Sequence, residues 1–397
     1  MKALFINPYF AISRDVINYH TRLFLDAISD YIRNPMIVGM SGYDDYENPH
    51  IFLPVKPIPL RYVNALINRT IPDIILQPDE FNWAIKHRFI NAILRNVDFT
   101  QIDYIHSFSD PQTAHVIAYE IHKITKKPWI AQLYDPWTDS PYRKFKYSFF
   151  KKKDLELESI VANNASAIIH TNHVINNKWG NRYGDKIKEK SFVLPLTYSK
   201  ERFLQGKNIP PARRKDKFII SHIGTLFRDR DLRDVIKALS LLKQENVSCN
   251  KKIVIRAIGQ ITPHDIKMMK ELECEDFFEI IPYQTKEKLI DYYVDSDAFL
   301  LIESQQKENV FFPSKLLDYF LYQRPIIGIT PQIGETTELL NKSGNIAICN
   351  GDIMKLKEVF LNFIEGKNPS FDKDFYMNYS PEVLCNQYKE ILSFVLK

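Results

Sequence analysis

The sequence predicts an α/β protein made of two domains, each built on a parallel sheet. The chain has 397 residues, which is too long for a single domain with one hydrophobic core, so two domains are expected. Short, nearly continuous apolar runs alternate with helical patterns in both halves, as expected for parallel strands covered on both faces. A segment rich in proline, glycine and charge at 204–217 separates the two series and is predicted to be the linker.

The first half supplies six strand-like runs, each bounded by polar or turn-forming residues. In chain order they are ALFIN (3–7), MIVGM (36–40), YIHSF (104–108), WIAQL (129–133), AIIH (167–170) and FVLP (192–195). Residues 60–98 carry aromatic residues and lack glycine, so we predict helix there without assigning a function. The N-terminal domain is therefore predicted to span 1–203.

The second half repeats the same alternation more regularly. Its runs are FIISHIG (218–224), KIVIRAIG (252–259), FEIIP (278–282), AFLLIE (298–303), PIIGIT (325–330) and NIAIC (345–349). These runs define a predicted C-terminal domain at 218–379. The last residues, 380–397, form a predicted amphipathic helix with Ser380 as N-cap and Pro381 at the first helical position, and we expect it to pack back on the N-terminal domain.

Strand–helix alternation in both halves indicates two Rossmann-like domains. Open parallel sheets bind ligands beyond the carboxyl ends of their strands. Two such domains facing each other would place both sets of strand ends at one cleft. We therefore expect functional residues directly after strands.

Composition excludes several classes of protein. Hydrophobic residues make up 45% and charged residues 25% of the chain, which is ordinary for a globular protein, and the net charge of +5 is too small to suggest a nucleic-acid partner. No apolar run approaches the roughly 20 residues that span a bilayer, and the N-terminus lacks a signal-peptide pattern. The four cysteines are far apart, which argues against a zinc site or a disulfide framework. These features predict a cytoplasmic protein.

The segment YRKFKYSFFKKK at 142–153 is both basic and aromatic. Lysine and arginine attract anionic headgroups and aromatic rings settle at the interface, so this composition suits a peripheral membrane contact at the inner face of the cytoplasmic membrane. The alternative is a solvated helix whose aromatic residues face the core and whose lysines face water. The sequence leaves both interpretations open.

A glycine turn followed by arginines comes after the first strand of the second domain. Gly224 allows a ligand to approach the backbone closely, and Arg228, Arg230 and Arg233 follow it. Because arginine matches phosphate oxygens with a bidentate fork, this arrangement suits a diphosphate. The alternative is a surface loop whose arginines pair with the intervening aspartates. Neither a P-loop nor a dinucleotide fingerprint is present.

A second anion-binding element is predicted at the helix start in FFPSKLLDYF, from Phe311. Ser314 lies at a helix N-terminus, whose free N–H groups and positive dipole attract anions, and Lys315 adds a full charge. Asp318, one turn further, is better suited to accept hydrogen bonds from ribose hydroxyls. The alternative is a capped helix with a weak Lys315–Asp318 pair.

Two residues of the first half are candidates for chemistry. Asp135 directly follows WIAQLY, where it could act as general base in an inverting enzyme or orient hydroxyl groups in a retaining one. Its alternative role is to cap the turn before Pro136. His106 lies in the run YIHSF and is a second candidate, although a lone histidine is more often a hydrogen-bonded structural residue.

The segment PSKLLDYFLYQRPIIGIT resembles the nucleotide-sugar helix of GT-B glycosyltransferases, in particular family 4. In that resemblance Asp318 stands at the ribose-binding glutamate and Arg324-Pro325 stands for Lys-Pro. The segment IIPYQTKEKLIDYYVDSDAFLLI is similar to the family's segment after the base-contacting loop, which would place Tyr283 and Gln284 near the nucleobase. WIAQLYDPWTDSP is similar to the Asp-Pro-Trp segment of bacterial members that build surface polysaccharides.

The resemblance implies transfer of a sugar from a nucleotide diphosphate sugar to a glycan or lipid-linked acceptor, and it favours retention. Preorganised positive charge can stabilise the leaving diphosphate by itself, so we expect no metal or other cofactor. Arg228, Arg230 and Lys315, with the N–H groups around Gly224 and Ser314, would then stabilise the leaving diphosphate.

The chain departs from the family pattern at several positions. The first glutamate of the family motif falls at Val310, aspartate replaces glutamate at position 318, and PYFAISRD replaces the usual glycine pair after the first strand. Asp295 and Asp297 form an accidental D-x-D that we interpret as structural. Two rival functions therefore stay open, a sugar-nucleotide epimerase and a non-catalytic scaffold subunit of this fold.

Overall fold

The structure is a computed structural model that describes residues 1–11, 16–42, 44–56, 81–143, 148–201, 216–245 and 252–397. Within those ranges it contains a seven-stranded and a six-stranded parallel sheet with helices between the strands, so the predicted α/β fold is confirmed. The chain divides into two compact units. The N-terminal unit comprises 1–197, 310–312 and 379–397, and the C-terminal unit comprises 198–309 and 313–378.

The N-terminal unit is built on the seven-stranded sheet. Its strands are β1 (Ala3–Ile6), β2 (Met36–Met40), β3 (Ile51–Val55), β4 (Tyr104–Phe108), β5 (Trp129–Leu133), β6 (Ala167–His170) and β7 (Ser191–Val193). Their order is β3-β2-β1-β4-β5-β6-β7, so the direction of winding reverses at β1. The central strands are buried along their whole length and mostly apolar, which is the pattern of a sheet covered on both faces.

The helices of this unit fill the crossovers between its strands. They are α1 (Val16–Ile28), α2 (Phe81–Asn96), α3 (Thr113–Thr125), α4 (Ser148–Asn164), α5 (His173–Tyr183) and α6 (Asp185–Glu189). Asn172 caps α5, since its side chain accepts a hydrogen bond from the N–H of Ile175. None of the helices in the described ranges combines the length and the apolarity needed to cross a bilayer.

The C-terminal unit is built on the six-stranded sheet. Its strands are β8 (Lys217–Ile223), β9 (Lys252–Ile258), β10 (Phe278–Ile281), β11 (Ala298–Ile302), β13 (Ile326–Thr330) and β15 (Ile346–Cys349), and β12 (Glu308–Asn309) pairs separately with β14 (Ile333–Gly334). The order β10-β9-β8-β11-β13-β15 places the reversal of winding at β8. The loops that follow β8 and β11 are consequently neighbours at the carboxyl edge of the sheet, where ligands bind in such folds.

The helices of the C-terminal unit are α7 (Arg233–Gln244), α8 (Pro263–Glu271), α9 (Lys286–Val294), α10 (Ser314–Leu321), α11 (Glu335–Lys342) and α12 (Ile353–Ile364). The last helix, α13 (Pro381–Val395), belongs to the N-terminal unit. It begins as the sequence predicts, because the hydroxyl of Ser380 accepts a hydrogen bond from the N–H of Val383 at 3.3 Å. It packs on α1, where the ring of Tyr388 lies 4.9 Å from that of Phe24.

Two predicted segments lie only partly within the described residues. Most of the predicted linker, 204–215, lies outside them. The same is true of 60–80, the first part of the predicted helical segment at 60–98, whose later part forms α2.

Candidate functional site

The turn after β8 brings Gly224 and Lys315 into direct contact. Gly224 has a φ of 128°, in the region that favours glycine, and its N–H donates to the carbonyl of Ile258 at 2.7 Å. A Cβ atom at Gly224 would lie 2.2 Å from Nζ of Lys315 and 2.5 Å from its Cε. The absence of a side chain at position 224 therefore creates the place that the ammonium group occupies.

Substituting Gly224 with alanine is expected to weaken anion binding at this turn. The new methyl group would strain the backbone by about 1–2 kcal/mol and would force the ammonium of Lys315 to move. The control is Gly351→Ala, where the backbone φ is also positive, at 84°, but the added Cβ would meet nothing within 4 Å. Calorimetric titration with nucleoside diphosphates should show at least about a tenfold loss for Gly224→Ala alone. Equal affinities for the two variants would contradict the contact's role.

Helix α10 begins at Ser314, and its first turn carries Lys315, the residue that contacts the Gly224 turn. Pro313 occupies the N-cap and makes no side-chain cap hydrogen bond, so the helix start keeps N–H groups that suit an anion. One face of α10 is fixed by burial of its large apolar residues. Ser314, Lys315 and Asp318 are half-buried. The structure thus joins the two predicted anion-binding elements in one place.

A buried carboxylate, Glu303, lies among the basic groups. It follows β11 directly, is 3% exposed, and its Oε2 lies 3.5 Å from Nη2 of Arg230. Sequence reasoning did not single out Glu303, and its only signal was an acidic residue at the end of the apolar run AFLLI. Arg230 is half-buried, in contrast to a fully solvated surface arginine.

Burial and neighbouring charges tune the titration of this cluster. Burial, together with the positive charge of Arg230, lowers the pKa of Lys315 to about 8, while the negative charges of Glu303 and Asp318 act in the opposite direction. Burial lowers the pKa of His222 to about 3, so its ring is neutral at physiological pH. The cluster therefore places two basic side chains beside one buried carboxyl group, which suits a polyanionic ligand.

The three arginines between β8 and the start of α7 have different surroundings. Arg228 is exposed, and the guanidinium groups of Arg228 and Arg230 lie 5.7 and 5.8 Å from the ring centre of Phe227. Arg233 instead pairs with Asp231, with Nε to carboxylate oxygen distances of 2.8 and 2.9 Å. We therefore withdraw Arg233 from the predicted diphosphate group, because the adjacent aspartate engages its guanidinium.

The predicted ribose contact, Asp318, lies on α10 itself, and the predicted base contacts lie on another loop of the same unit. Asp318 accepts a hydrogen bond from the hydroxyl of Tyr293 at 3.3 Å. Tyr283 is 81% exposed on the loop after β10, and Nε2 of Gln284 donates to the carbonyl of Pro282 at 3.0 Å. Strand β9 separates β10 from β8, so Tyr283 and Gln284 belong to a different loop from the Gly224 turn. Their assignment to the nucleobase stays a prediction.

Asp135 in the N-terminal unit stands on a rigid turn. It is exposed, whereas Tyr134 before it and Trp137 after it are buried. The N–H of Tyr134 donates to Oγ of Ser109 at 3.3 Å, and the carbonyl of Tyr134 accepts from Oγ1 of Thr171 at 2.9 Å. Contacts from both neighbouring strands thus fix the backbone from which Asp135 projects at the carboxyl edge of the sheet.

His106 has a structural environment. Its ring is fully buried, with Nδ1 2.8 Å from the hydroxyl of Tyr388 and Nε2 3.0 Å from Oε1 of Gln132. Burial lowers the pKa of His106 to about 3. Since both ring nitrogens are engaged and no reactant can reach them, we assign His106 to the packing of α13 on the sheet and correct its candidacy as a catalytic residue.

Position 310, where the family resemblance would place a glutamate, is a core position in this chain. Val310 is 5% exposed within the apolar core of the N-terminal unit, and its carbonyl accepts a hydrogen bond from Nδ2 of Asn172 at 3.1 Å. A carboxylate at this position would be buried among apolar side chains. The departure from the family pattern is therefore consistent with the local packing.

The basic aromatic segment at 142–153 begins with residues that contact other side chains and continues into exposed residues at the start of α4. The ring of Tyr142 stacks on that of Phe311, and Nε of Arg143 lies 2.5 Å from a carboxylate oxygen of Asp154. At the start of α4, Phe149 is 67% exposed and the lysines 151–153 are exposed. Residues 144–147 and the side chain of Phe150 lie outside the described part of the chain.

Comparison with solved structures shows which fold the two sheets form. Alr3699/HepE of Anabaena in complex with UDP matches at 14% identity with a TM-score of 0.65, over 99% of this chain and 100% of that one. The lipopolysaccharide outer core galactosyltransferase WaaB matches at 12% identity with a TM-score of 0.67, over 99% of each chain. A glycosyltransferase from Rickettsia africae matches at 14% identity with a TM-score of 0.65, over 100% of this chain and 98% of that one.

The predicted GT-B fold is thereby confirmed, whereas the narrower resemblance to family 4 stays a prediction. No protein-family model matches the chain, and no curated protein matches its sequence.

Proposed function

We propose that the protein is a glycosyltransferase that moves a sugar from a nucleotide diphosphate sugar to an acceptor hydroxyl. The observation that supports this most is the convergence of the Gly224 turn, the N-terminus of α10, Lys315 and Arg230 at the carboxyl edge of one sheet. Each of these groups stabilises negative charge. Similar structures bind UDP and UDP-glucose, which is consistent with a donor of this class.

The chemistry of the reaction explains why such a site is needed. Cleavage of the bond between the sugar and the diphosphate leaves negative charge on the departing oxygen and positive charge on the sugar ring. Preorganised donors that meet the developing negative charge lower the barrier without reorganising during the reaction. Lys315 and Arg230 provide charge, and the first-turn N–H groups around Ser314 provide directed hydrogen bonds. Arg228, on the exposed part of the loop, would close on the bound diphosphate.

Asp135 is the proposed acceptor-side group. In a retaining reaction it would orient an acceptor or donor hydroxyl, and in an inverting reaction it would remove the acceptor proton. We propose the retaining course, without a metal ion, on the strength of the family resemblance. Asp318 and the Tyr283–Gln284 loop would hold the ribose and the base.

The decisive experiment is a panel of UDP, GDP, ADP and dTDP tested by thermal shift and calorimetry in the presence of a metal chelator. One nucleotide should raise Tm and bind stoichiometrically, which would identify the donor's base. If none of the four nucleotides bound, the proposed function would be wrong, and the segment from Phe311 would be a helix start without a binding role.

Two alternative functions differ from a transferase in how the protein treats a nucleotide sugar. A scaffold subunit of this fold would ignore nucleotide sugars altogether. A sugar-nucleotide epimerase would convert the matching nucleotide sugar without any acceptor, and the product would remain a nucleotide sugar. A transferase releases the nucleoside diphosphate instead, slowly to water and faster once an acceptor is supplied.

The acceptor is proposed to be a glycan or a lipid-linked glycan of surface-polysaccharide synthesis, reached at the inner face of the cytoplasmic membrane. The start of α4 supports this, because the exposed Phe149 and lysines 151–153 combine an interfacial ring with positive charge.

Replacing Lys151, Lys152 and Lys153 together with glutamine is expected to reduce vesicle binding. Each lysine near an anionic surface contributes about 1 kcal/mol, so the loss should exceed about tenfold. Co-sedimentation with vesicles containing anionic lipid, compared with zwitterionic vesicles, measures it. The control replaces the exposed Lys123, Lys186 and Lys188 of the same unit. Equal binding by both triple variants would favour the interpretation of α4 as an ordinary solvated helix.

A further inference from the structure

Glu303 is the most deeply buried charge at the proposed donor site. It lies at the end of β11 with 3% of its surface exposed. Burial raises the pKa of its carboxyl group, while the charges of Arg230 and Lys315 and side-chain hydrogen bonds from Thr336 and Asn309 act in the opposite direction. The hydroxyl of Thr336 approaches Oε1 only to 3.5 Å, and Oε2 has an ion pair with Arg230 at 3.5 Å but no hydrogen-bond partner among the described residues. A buried carboxylate in such surroundings is costly unless nearby cations compensate it.

Two cations supply that compensation from different elements. Arg230 comes from the loop after β8, and Lys315 comes from the first turn of α10, within electrostatic range of Glu303. The two cations also repel each other, since each lies close to the other. Without a negative charge behind them, the guanidinium and the ammonium would separate or Lys315 would lose its proton. Glu303 is therefore placed to counter the repulsion between the groups that meet the ligand.

We infer that Glu303 is a positioning residue that holds the Arg230 guanidinium and the Lys315 ammonium together at the Gly224 turn, so that a diphosphate meets two charges already in place. This inference rests on the proposed function, because it assigns the ligand of the same site. It also adds a property that the proposed function alone does not require, namely that the charge of Lys315, and with it diphosphate binding, depends on Glu303.

The dependence of the Lys315 charge on Glu303 can be measured by varying the pH. The titratable and charged groups that face Lys315 are Arg230 and His222 from the β8 side, Glu303 from β11, and Asp318 from its own helix. Of these, burial lowers the pKa of His222 to about 3, so its ring stays neutral over the whole range tested. The pKa of Lys315 near 8 then sets the midpoint: the ammonium is present below it and is lost as pH rises through it. The terminal phosphate of a nucleoside diphosphate ionises near pH 6, so its charge is constant over this window.

The experiment measures nucleoside-diphosphate affinity by calorimetry from pH 7 to pH 9.5, using whichever of UDP, GDP, ADP and dTDP binds the wild type. Wild-type affinity should be flat near pH 7 and should fall above pH 8, approaching a tenfold loss per pH unit. Glu303→Gln should bind about tenfold more weakly at pH 7, and its affinity should begin to fall at lower pH, because the charge that keeps Lys315 protonated is gone. Glu303→Asp, which restores the charge at a shorter reach, should recover part of both changes.

Two further variants make the result specific. Lys315→Arg should abolish the fall in affinity between pH 8 and pH 9.5, since arginine does not titrate there. Glu338→Gln removes the same charge from an exposed position on α11 and should behave as the wild type. The Tm of each variant shows whether it is folded.

Each outcome bears on one of the two proposals. Absence of binding by the wild type to all four nucleotides removes the proposed function itself. Binding by the wild type, with Glu303→Gln showing the same affinity and the same pH profile, would overturn the inference and leave the function intact. A folded Glu303→Gln variant with lower affinity but an unshifted profile would also overturn it, because Glu303 would then act through the shape of the site alone.

Discussion

Lys315→Ala is expected to weaken nucleoside-diphosphate binding by about 10- to 100-fold. A hydrogen bond to a charged group contributes about 1.5–3 kcal/mol, and the ammonium of Lys315 is held against the Gly224 turn at the place that the missing side chain leaves open. Arg230→Ala should cause a comparable loss and would in addition leave Glu303 without its ion-pair partner.

The Lys315→Ala variant should remain folded. Removing Lys315 relieves the burial of a charge, since burial lowers the pKa of this lysine, but it also takes away one of the two cations beside Glu303. These two effects on stability oppose each other, so Tm should change little. The control is Lys342→Ala, which removes an exposed lysine that pairs with Glu338 on α11. Unchanged calorimetric affinity in the Lys315→Ala protein would dismiss the assignment of the diphosphate to this turn.

The strands that sequence patterns located best are those buried on both faces. The runs ALFIN, YIHSF and WIAQL correspond to β1, β4 and β5, because continuous burial requires continuous apolar sequence. Strand β3 was missed. It lies at the edge of its sheet, most of its residues are at least partly exposed, and it contains a proline, so its sequence IFLPV carries little strand signal.

The site was predictable where function depends on the local chain. A glycine after a strand and a helix start with Ser314 and Lys315 are readable in sequence, and parallel topology brings them together because β8 and β11 are adjacent. The sequence alone did not distinguish the roles of Arg230 and Arg233, because both follow β8 closely and only the structure shows that Asp231 engages Arg233. His106 was misjudged because its partner Tyr388 lies 282 residues away in the sequence.

Glu303 shows most clearly which site residues cannot be predicted from the sequence. Its position after β11 is visible in the sequence, but its importance comes from burial and from Arg230 and Lys315, which belong to two other elements. A single acidic residue after an apolar run is common. The charge balance of a site is a property of the folded arrangement.

Asp135→Asn is expected to lower turnover by about 100-fold or more while leaving donor affinity unchanged. A positioned acid or base contributes about 10²- to 10⁴-fold to a proton transfer, and asparagine keeps the shape of the side chain but not its basicity or charge. Turnover is measured as nucleoside diphosphate released from the matching nucleotide sugar with water as acceptor. Affinity is measured separately with the nucleoside diphosphate, because Asp135 belongs to the N-terminal unit and the proposed diphosphate groups to the C-terminal one.

The control for Asp135→Asn is Asp185→Asn, an exposed aspartate in the same unit that pairs with Lys188 on α6. A fall in turnover in both variants would indicate a general electrostatic effect. An Asp135→Asn protein with full turnover would return this residue to the role of turn cap before Pro136. The anomeric configuration of the sugar released by the wild type, followed by NMR during the reaction, then decides which role remains: inversion would make Asp135 the base that activates the acceptor, and retention would make it the group that orients a hydroxyl.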